Sequence, residues 1–148
     1  MVKRAVSIFL VVFGVVVIDQ VTKYLIMKNL PMYDSIKIFS FLQIVHVKNT
    51  GAAFGMFKTL GSTFFITLSV AAIFFIGFLL VKKAYHSFGL ALILGGAIGN
   101  LIDRVLFGHV VDFIDFSLGS YHWPAFNVAD SSLTIGVGFI VLTQLLKK

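Results

Sequence analysis

The sequence contains no cysteine and no glutamate, and its only acidic residues are six aspartates. Without a thiol there is no disulfide framework, no thiolate nucleophile and no cysteine-based metal site. Without glutamate the HExxH zinc-protease motif cannot be written. Charge of either sign is scarce: 12% of residues are charged, against about 25% in a soluble domain. In its place stand 59% hydrophobic residues and a mean hydropathy of +1.02. This composition excludes a soluble domain and points to an integral membrane protein, read as one domain over residues 1–148. The net charge of +6 suits anionic lipid headgroups. Nucleic acid is not expected as a partner, because the basic residues are scattered among apolar stretches and form no patch.

A helix needs roughly 20 mostly apolar residues to cross a bilayer. Four segments qualify: about Ala5 to Tyr24, Leu60 to Val81, Phe88 to Phe107 and Val128 to Leu146. Lys3 and Arg4 ahead of the first run resemble the start of a secretory signal. The run ends instead in Asp19-Gln20 with no small-residue cleavage site, so it is read as a span. Four spans place both termini on one side, together with the Lys82-Lys83 turn. By parity Asp19, Asp103 and Asp130 then lie toward the opposite face, and the loops of that face carry Asp34, Asp112 and Asp115. All the carboxylates are therefore expected on one side of the membrane. Basic residues are equally numerous on the two faces. The termini are placed in the cytoplasm because their Lys and Arg residues come in pairs flanking spans.

The acids are concentrated between Gly95 and Asp130, where Asp103, Asp112, Asp115 and Asp130 interrupt an otherwise apolar sequence. Asp19 and Lys23 are four apart on the first span and are expected to pair across one helical turn, as structural support. Gly95 and Gly99 form a GxxxG, which lets another backbone approach closely. Asn100, Asp103 and Arg104 follow on one face at the end of the third span. Polar groups at that depth face a cavity or one another, because exposing them to lipid costs at least a few kcal/mol. Asp112 would point away on a continued helix, but Gly108 predicts that the helix stops and frees it to turn back. Pro124 precedes Asn127 and Asp130, a pair suited to begin the fourth span as N-cap and charged first turn.

Between Leu30 and Thr59, the stretch Ile36 to Val47 alternates in a way that predicts short strands. The small residues after Asn49 suggest a short helix lying at the membrane interface. The loop reads either as a packed cap or as a platform for an extended substrate. Two carboxylates brought together from separate segments could perform general acid/base work on water. The same residues could instead bind cations or relay protons in a small ion- or proton-coupled transporter. The absence of an internal repeat counts mildly against that alternative. A helper subunit whose polar residues only pack would leave the one-sided clustering unexplained.

Five motifs in order, Asp19-Gln20-x-x-Lys23, Asn49-x-Gly51-Ala52-Ala53-Phe54, Gly95-Gly96-Ala97-x-Gly99-Asn100-x-x-Asp103-Arg104, Gly108-x-Val110-Val111-Asp112-Phe113 and Phe126-Asn127-x-Ala129-Asp130-Ser131, span essentially the whole chain. Together they resemble the bacterial lipoprotein signal peptidase family, signal peptidase II. The resemblance implies an all-α membrane protein, a four-transmembrane-helix bundle with a small extracytoplasmic β-sheet cradle. It implies an aspartic endopeptidase of the bacterial inner membrane that removes the signal peptide from prolipoproteins by cutting before a diacylglyceryl-modified cysteine. The catalytic pair would be Asp112 and Asp130. Asn49, Gly51, Asn100, Asp103, Arg104 and Asn127 would bind substrate or position it and the carboxylates. No metal or other cofactor is implied. The expected partners are prolipoproteins and membrane lipids, with the enzyme acting as a monomer.

Overall fold

The computed structural model describes residues 2–51 and 61–146. Four helices carry the apolar runs: α1 (Val2–Asn29), α2 (Gly61–Lys82), α3 (Ser87–Phe107) and α4 (Val128–Leu145). Each is long and apolar enough to cross a membrane. α1 outruns the expected span, continuing past Tyr24 to Asn29. Asp19 and Lys23, at the polar end of the expected run, are both buried inside the helix bundle. At 1.5 Å per residue α1 is about 42 Å long, more than the roughly 30 Å hydrocarbon core. The interfacial helix expected after Asn49 falls largely outside the described residues.

α3 is the central helix, packed against the other three. Its glycines explain how. A Cβ at Gly95 would stand 2.8 Å from the Val15 Cβ of α1, and one at Gly96 would stand 2.5 Å from the Ala129 carbonyl oxygen of α4. The GxxxG thus packs against α1, as its spacing suggested, while the neighbouring Gly96 admits α4. The lipid-facing surfaces stay apolar: Phe9, Phe13, Phe74, Phe75 and Phe78 are all exposed from the protein, as expected where hydrocarbon is the solvent.

At the end of the bundle that bears the acids lies an antiparallel four-stranded sheet in the order β1-β2-β3-β4: β1 (Ser35–Phe39), β2 (Leu42–Asn49), β3 (Val110–Leu118) and β4 (Tyr121–His122). The first two are the strands expected from the Ile36 to Val47 pattern. β3, the longest, follows α3 after a sharp stop. Gly108 adopts the left-handed conformation at φ 75° and donates its N–H to the Arg104 carbonyl, a helix ending that glycine tolerates without Cβ strain. The chain reverses there and pairs with β2, setting Val47 opposite Asp112 and Asn49 opposite Val110. That register carries Asp112 back over the end of α3, as the glycine signal required.

Candidate active site

The site is assembled at the junction of α3, β3 and the first turn of α4. Asn127 is the N-cap of α4: its Oδ1 accepts the Asp130 N–H at 2.9 Å, and Asp130 Oδ2 accepts the Asn127 N–H at 3.3 Å. This reciprocal capping box is a local sequence feature. Its Nδ2 group, turned the other way, donates to Asp112 Oδ1 at 2.7 Å. Asn100 Nδ2 donates to Asp130 Oδ1 at 2.8 Å, and Asn49 Nδ2 donates to Asp112 Oδ2 at 2.9 Å. Three amides from three elements therefore hold Asp112 and Asp130 as a connected pair.

Beneath the pair is a buried polar layer. Lys23 Nζ lies 2.8 Å from Asp19 Oδ2 and 3.0 Å from Asp103 Oδ2, and donates to Asn100 Oδ1 at 3.1 Å. Asp19 Oδ1 accepts the Ala129 N–H at 2.9 Å, and Asp103 Oδ2 accepts the Val111 N–H at 3.0 Å. Asp19 and Asp103 are each 0% exposed and Lys23 1%. Asp103 was expected among the groups that bind or position substrate. Its burial takes it off the cavity surface and leaves it positioning the backbone next to Asp112. The Asp19 and Lys23 pair forms as the spacing indicated, but it is tied to three elements and not to one helix alone.

Beside Asp130 opens a cavity of about 520 Å³, lined by Asn49, Gly51, Asn100, Arg104 and Asp130, by Trp123, Pro124 and Phe126, and by Leu133, Thr134 and Ile135 of α4. Asp130 lies on the wall. Asp112 stands behind Asn49 and Asn127, only 2% exposed. Arg104 donates to the Gly51 and Asn100 carbonyls, both at 3.4 Å, with its guanidinium 5.3 Å from the ring centre of Phe65. Arg104 thus brings a fork of five donors to the cavity wall.

Burial raises the Asp112 carboxyl to about 7, and the neighbouring Asp130 charge adds to the rise. The hydrogen bonds from Asn49 and Asn127 and the charge of Lys23 pull the other way. Loss of hydration outweighs them, so the group keeps or readily regains a proton near neutrality.

The remaining acids lie elsewhere. Asp115, three residues beyond Asp112 on a strand, points to the opposite sheet face, where Gln43 Nε2 donates to it at 2.6 Å and His122 Nδ1 lies 2.9 Å away. Asp34 is exposed in the turn before β1. Two groups escaped sequence reasoning. Gln20 Nε2 reaches Asp103 Oδ1 at 3.0 Å and the Gly99 carbonyl at 3.2 Å; its signal was a second polar residue beside Asp19 in an apolar run. The Val111 N–H, a backbone donor, had no signal in side-chain chemistry.

Comparison with known proteins shows the family. A family model described as signal peptidase (SPase) II matches residues 11–146. The lipoprotein signal peptidase of Thermodesulfovibrio yellowstonii is 47% identical over 98% of this chain and 96% of its own, and that of Syntrophotalea carbinolica is 46% identical over 88% and 85%. Two solved structures described as bacterial membrane enzymes superpose with TM-scores of 0.85 and 0.84. They are 40% and 39% identical, covering 95% and 96% of this chain and 88% and 94% of theirs. These relations do not favour the transporter alternative, and over nearly its full length the chain belongs to the signal peptidase II family of membrane peptidases.

Proposed function

We propose that Asp112 and Asp130 are the catalytic dyad of a membrane aspartic endopeptidase that cleaves diacylglyceryl-modified prolipoproteins immediately before the lipidated cysteine. The observation that carries this reading is the two carboxylates joined through Asn127, whose side-chain amide donates to Asp112 Oδ1 and whose backbone N–H donates to Asp130 Oδ2, beside a cavity lined by Asn49, Asn100 and Arg104 and by Leu133 and Ile135 of α4. A peptide with a lipid at the scissile residue needs both kinds of surface.

Asp130 sits in the first turn of α4, where the Asn100 amide and the Asn127 N–H donate to its carboxylate. It acts as base, taking a proton from water as the oxygen adds to the scissile carbonyl carbon. Asp112, held as the neutral acid, donates to the carbonyl oxygen. On collapse the C–N bond breaks, the leaving amine takes the proton from Asp130, and Asp112 recovers its own from the hydroxyl. The protons balance over one turnover, and the pair, not either residue, carries the titration. Arg104, Asn49 and Gly51 stand where the substrate backbone would lie, and Asn100 and Asn127 hold the carboxylates. Asp103, with Asp19 and Lys23, supports the layer below. The enzyme acts as a monomer in the inner membrane, with termini in the cytoplasm and the dyad toward the outer face.

The test is cleavage by purified protein of a diacylglyceryl-modified prolipoprotein peptide, with and without chelator. Cutting before the lipidated cysteine, undiminished by chelator, is the expected result. Ion flux in liposomes without cleavage would overturn it.

A further inference from the structure

An amide side chain has nearly the same shape in either of its two orientations, so something must fix which end of Asn100 meets Asp130. Asn100 Nδ2 donates to Asp130 Oδ1 at 2.8 Å, while its Oδ1 receives Lys23 Nζ at 3.1 Å and Asn127 Nδ2 at 3.2 Å. An ammonium has three donors and no acceptor. Were Asn100 reversed, its NH2 would face the ammonium, donor against donor, and its oxygen would face the Asp130 carboxylate, acceptor against acceptor. Asn127 cannot impose the orientation as firmly, because its NH2 is also shared with the Val111 carbonyl at 3.3 Å and with Asp112 Oδ1 at 2.7 Å.

Lys23 is fully committed. Its three protons meet three acceptors, Asp19 Oδ2, Asp103 Oδ2 and Asn100 Oδ1, at 2.8, 3.0 and 3.1 Å. Asp103 in turn takes the N–H of Val111, the residue before Asp112, at 3.0 Å. The same carboxylate oxygen therefore joins the ammonium to the backbone of β3. From one buried point the cation reaches one dyad member through the Asn100 amide and the backbone beside the other through Asp103. A structural ion pair between Asp19 and Lys23 would need neither link.

The geometry points to Lys23 as a positioning residue of the peptidase reaction, which orients the Asn100 amide toward Asp130 and holds the Asp112 strand through Asp103. This rests on the reading of Asp112 and Asp130 as the reacting pair. A buried cation cannot be removed alone without leaving two carboxylates uncompensated, so the informative variant is K23M/D103N, which keeps the wild-type net charge and leaves Asp19 its hydrogen bonds from Gln20 Nε2 and the Ala129 N–H, compared with D103N alone. The amide introduced by Asp103→Asn retains an oxygen for the Val111 N–H in both, and only the ammonium differs between them.

The double variant is expected to fold, to keep a KM close to that of D103N, and to show kcat about a hundredfold lower, the cost of a misplaced catalytic group. Equal kcat in the two variants would overturn the inference. D112N and D130N are assayed alongside. Turnover by either sinks the dyad reading itself, whereas two dead Asn variants beside equal kcat in the Lys23 pair sink this inference alone. If the double variant does not fold, the wild-type enzyme decides. In bilayers, solid-state NMR should place the Asn100 side-chain amide protons against the Asp130 carboxyl carbon and away from the Lys23 ammonium, and amide protons found against the Lys23 ammonium instead overturn the inference.

Discussion

Asp112→Asn separates the stability of this protein from its activity in a way that can be worked out beforehand. Burial first, and then the Asp130 charge, raise Asp112 from 3.8 to about 7. Between those values the folded protein keeps a proton that the unfolded chain has lost. The native state binds more protons there, so stability falls as pH rises through the window and levels off above about 7. Roughly three units at 1.36 kcal/mol each amount to a loss of about 4 kcal/mol, absent near pH 4 and complete near pH 8. Asparagine does not titrate, so the variant escapes this loss. Its own cost is one mismatched donor: Asn49 Nδ2 and Asn127 Nδ2 each donate to a different Asp112 oxygen, and one of them would meet an NH2 group, at about 1–3 kcal/mol. The two stability curves should therefore cross. At pH 4 and below the variant is less stable than wild type by about 1–3 kcal/mol. At pH 8 it is the more stable by a similar amount, a shift of roughly 2–4 °C in thermal midpoint per kcal/mol for a chain of this size. Thermal unfolding in detergent micelles from pH 4 to 8.5, with cleavage measured on the same preparations, tests this. A difference between wild type and variant that stays constant across that range would refute a raised Asp112, and retained cleavage would refute its role.

Turnover should follow a bell-shaped pH profile whose upper limb falls near 7, where Asp112 loses the proton it must donate; a plateau through pH 9 would contradict this. Arg104→Lys keeps the charge but loses the planar fork over Phe65, so kcat/KM should fall by at least about tenfold, and wild-type turnover would show that a point charge suffices. Gly99→Ala places a Cβ 2.6 Å from Asp19 Oδ2 and 3.3 Å from the Ala129 Cβ; the crowding should cost about 1–3 kcal/mol in stability, seen as a lower thermal midpoint. A reporter active only outside the cytoplasm should be active when fused near Lys48 or Ser120 and silent near Lys83 or after Lys148, and the opposite pattern would invert the proposed orientation.

How much of this was legible in advance depended on whether the signal was local. The four spans follow from apolar runs that only a bilayer accommodates, and parity alone gathers the carboxylates at one end. The Asn127 and Asp130 capping box and the Gly108 stop are decided by neighbours within a few residues, which is why spacing revealed them. The β1–β2 hairpin was readable for the same reason, since its pattern sits within one short stretch. β3 was not. Val110 to Leu118 is rich in Val, Ile and Phe, but Asp112 and Asp115 stand three apart and break the alternation that marks a strand.

Composition and spacing did not rank those carboxylates; the family resemblance named Asp112 and Asp130, and the physical differences among the acids belong to tertiary structure. In sequence Asp103 is the most conspicuous, set between Asn100 and Arg104, yet the fold buries it against Lys23 and the Val111 N–H. Asp112 and Asp115 look equivalent until the strand turns them to opposite faces and the register with β2 brings Asn49 to Asp112 alone. The link through Asn127 exists only when β3 meets the start of α4, and the amides of Asn49 and Asn100 join it only when β2 and α3 meet there too. Which chemistry this chain can attempt, and at which end of the bundle, was settled in the primary structure, because composition and local spacing are properties of the chain. Which two acids share the site was decided by long-range packing, because hydration, hydrogen-bond partners and neighbouring charge are set by residues far apart in sequence.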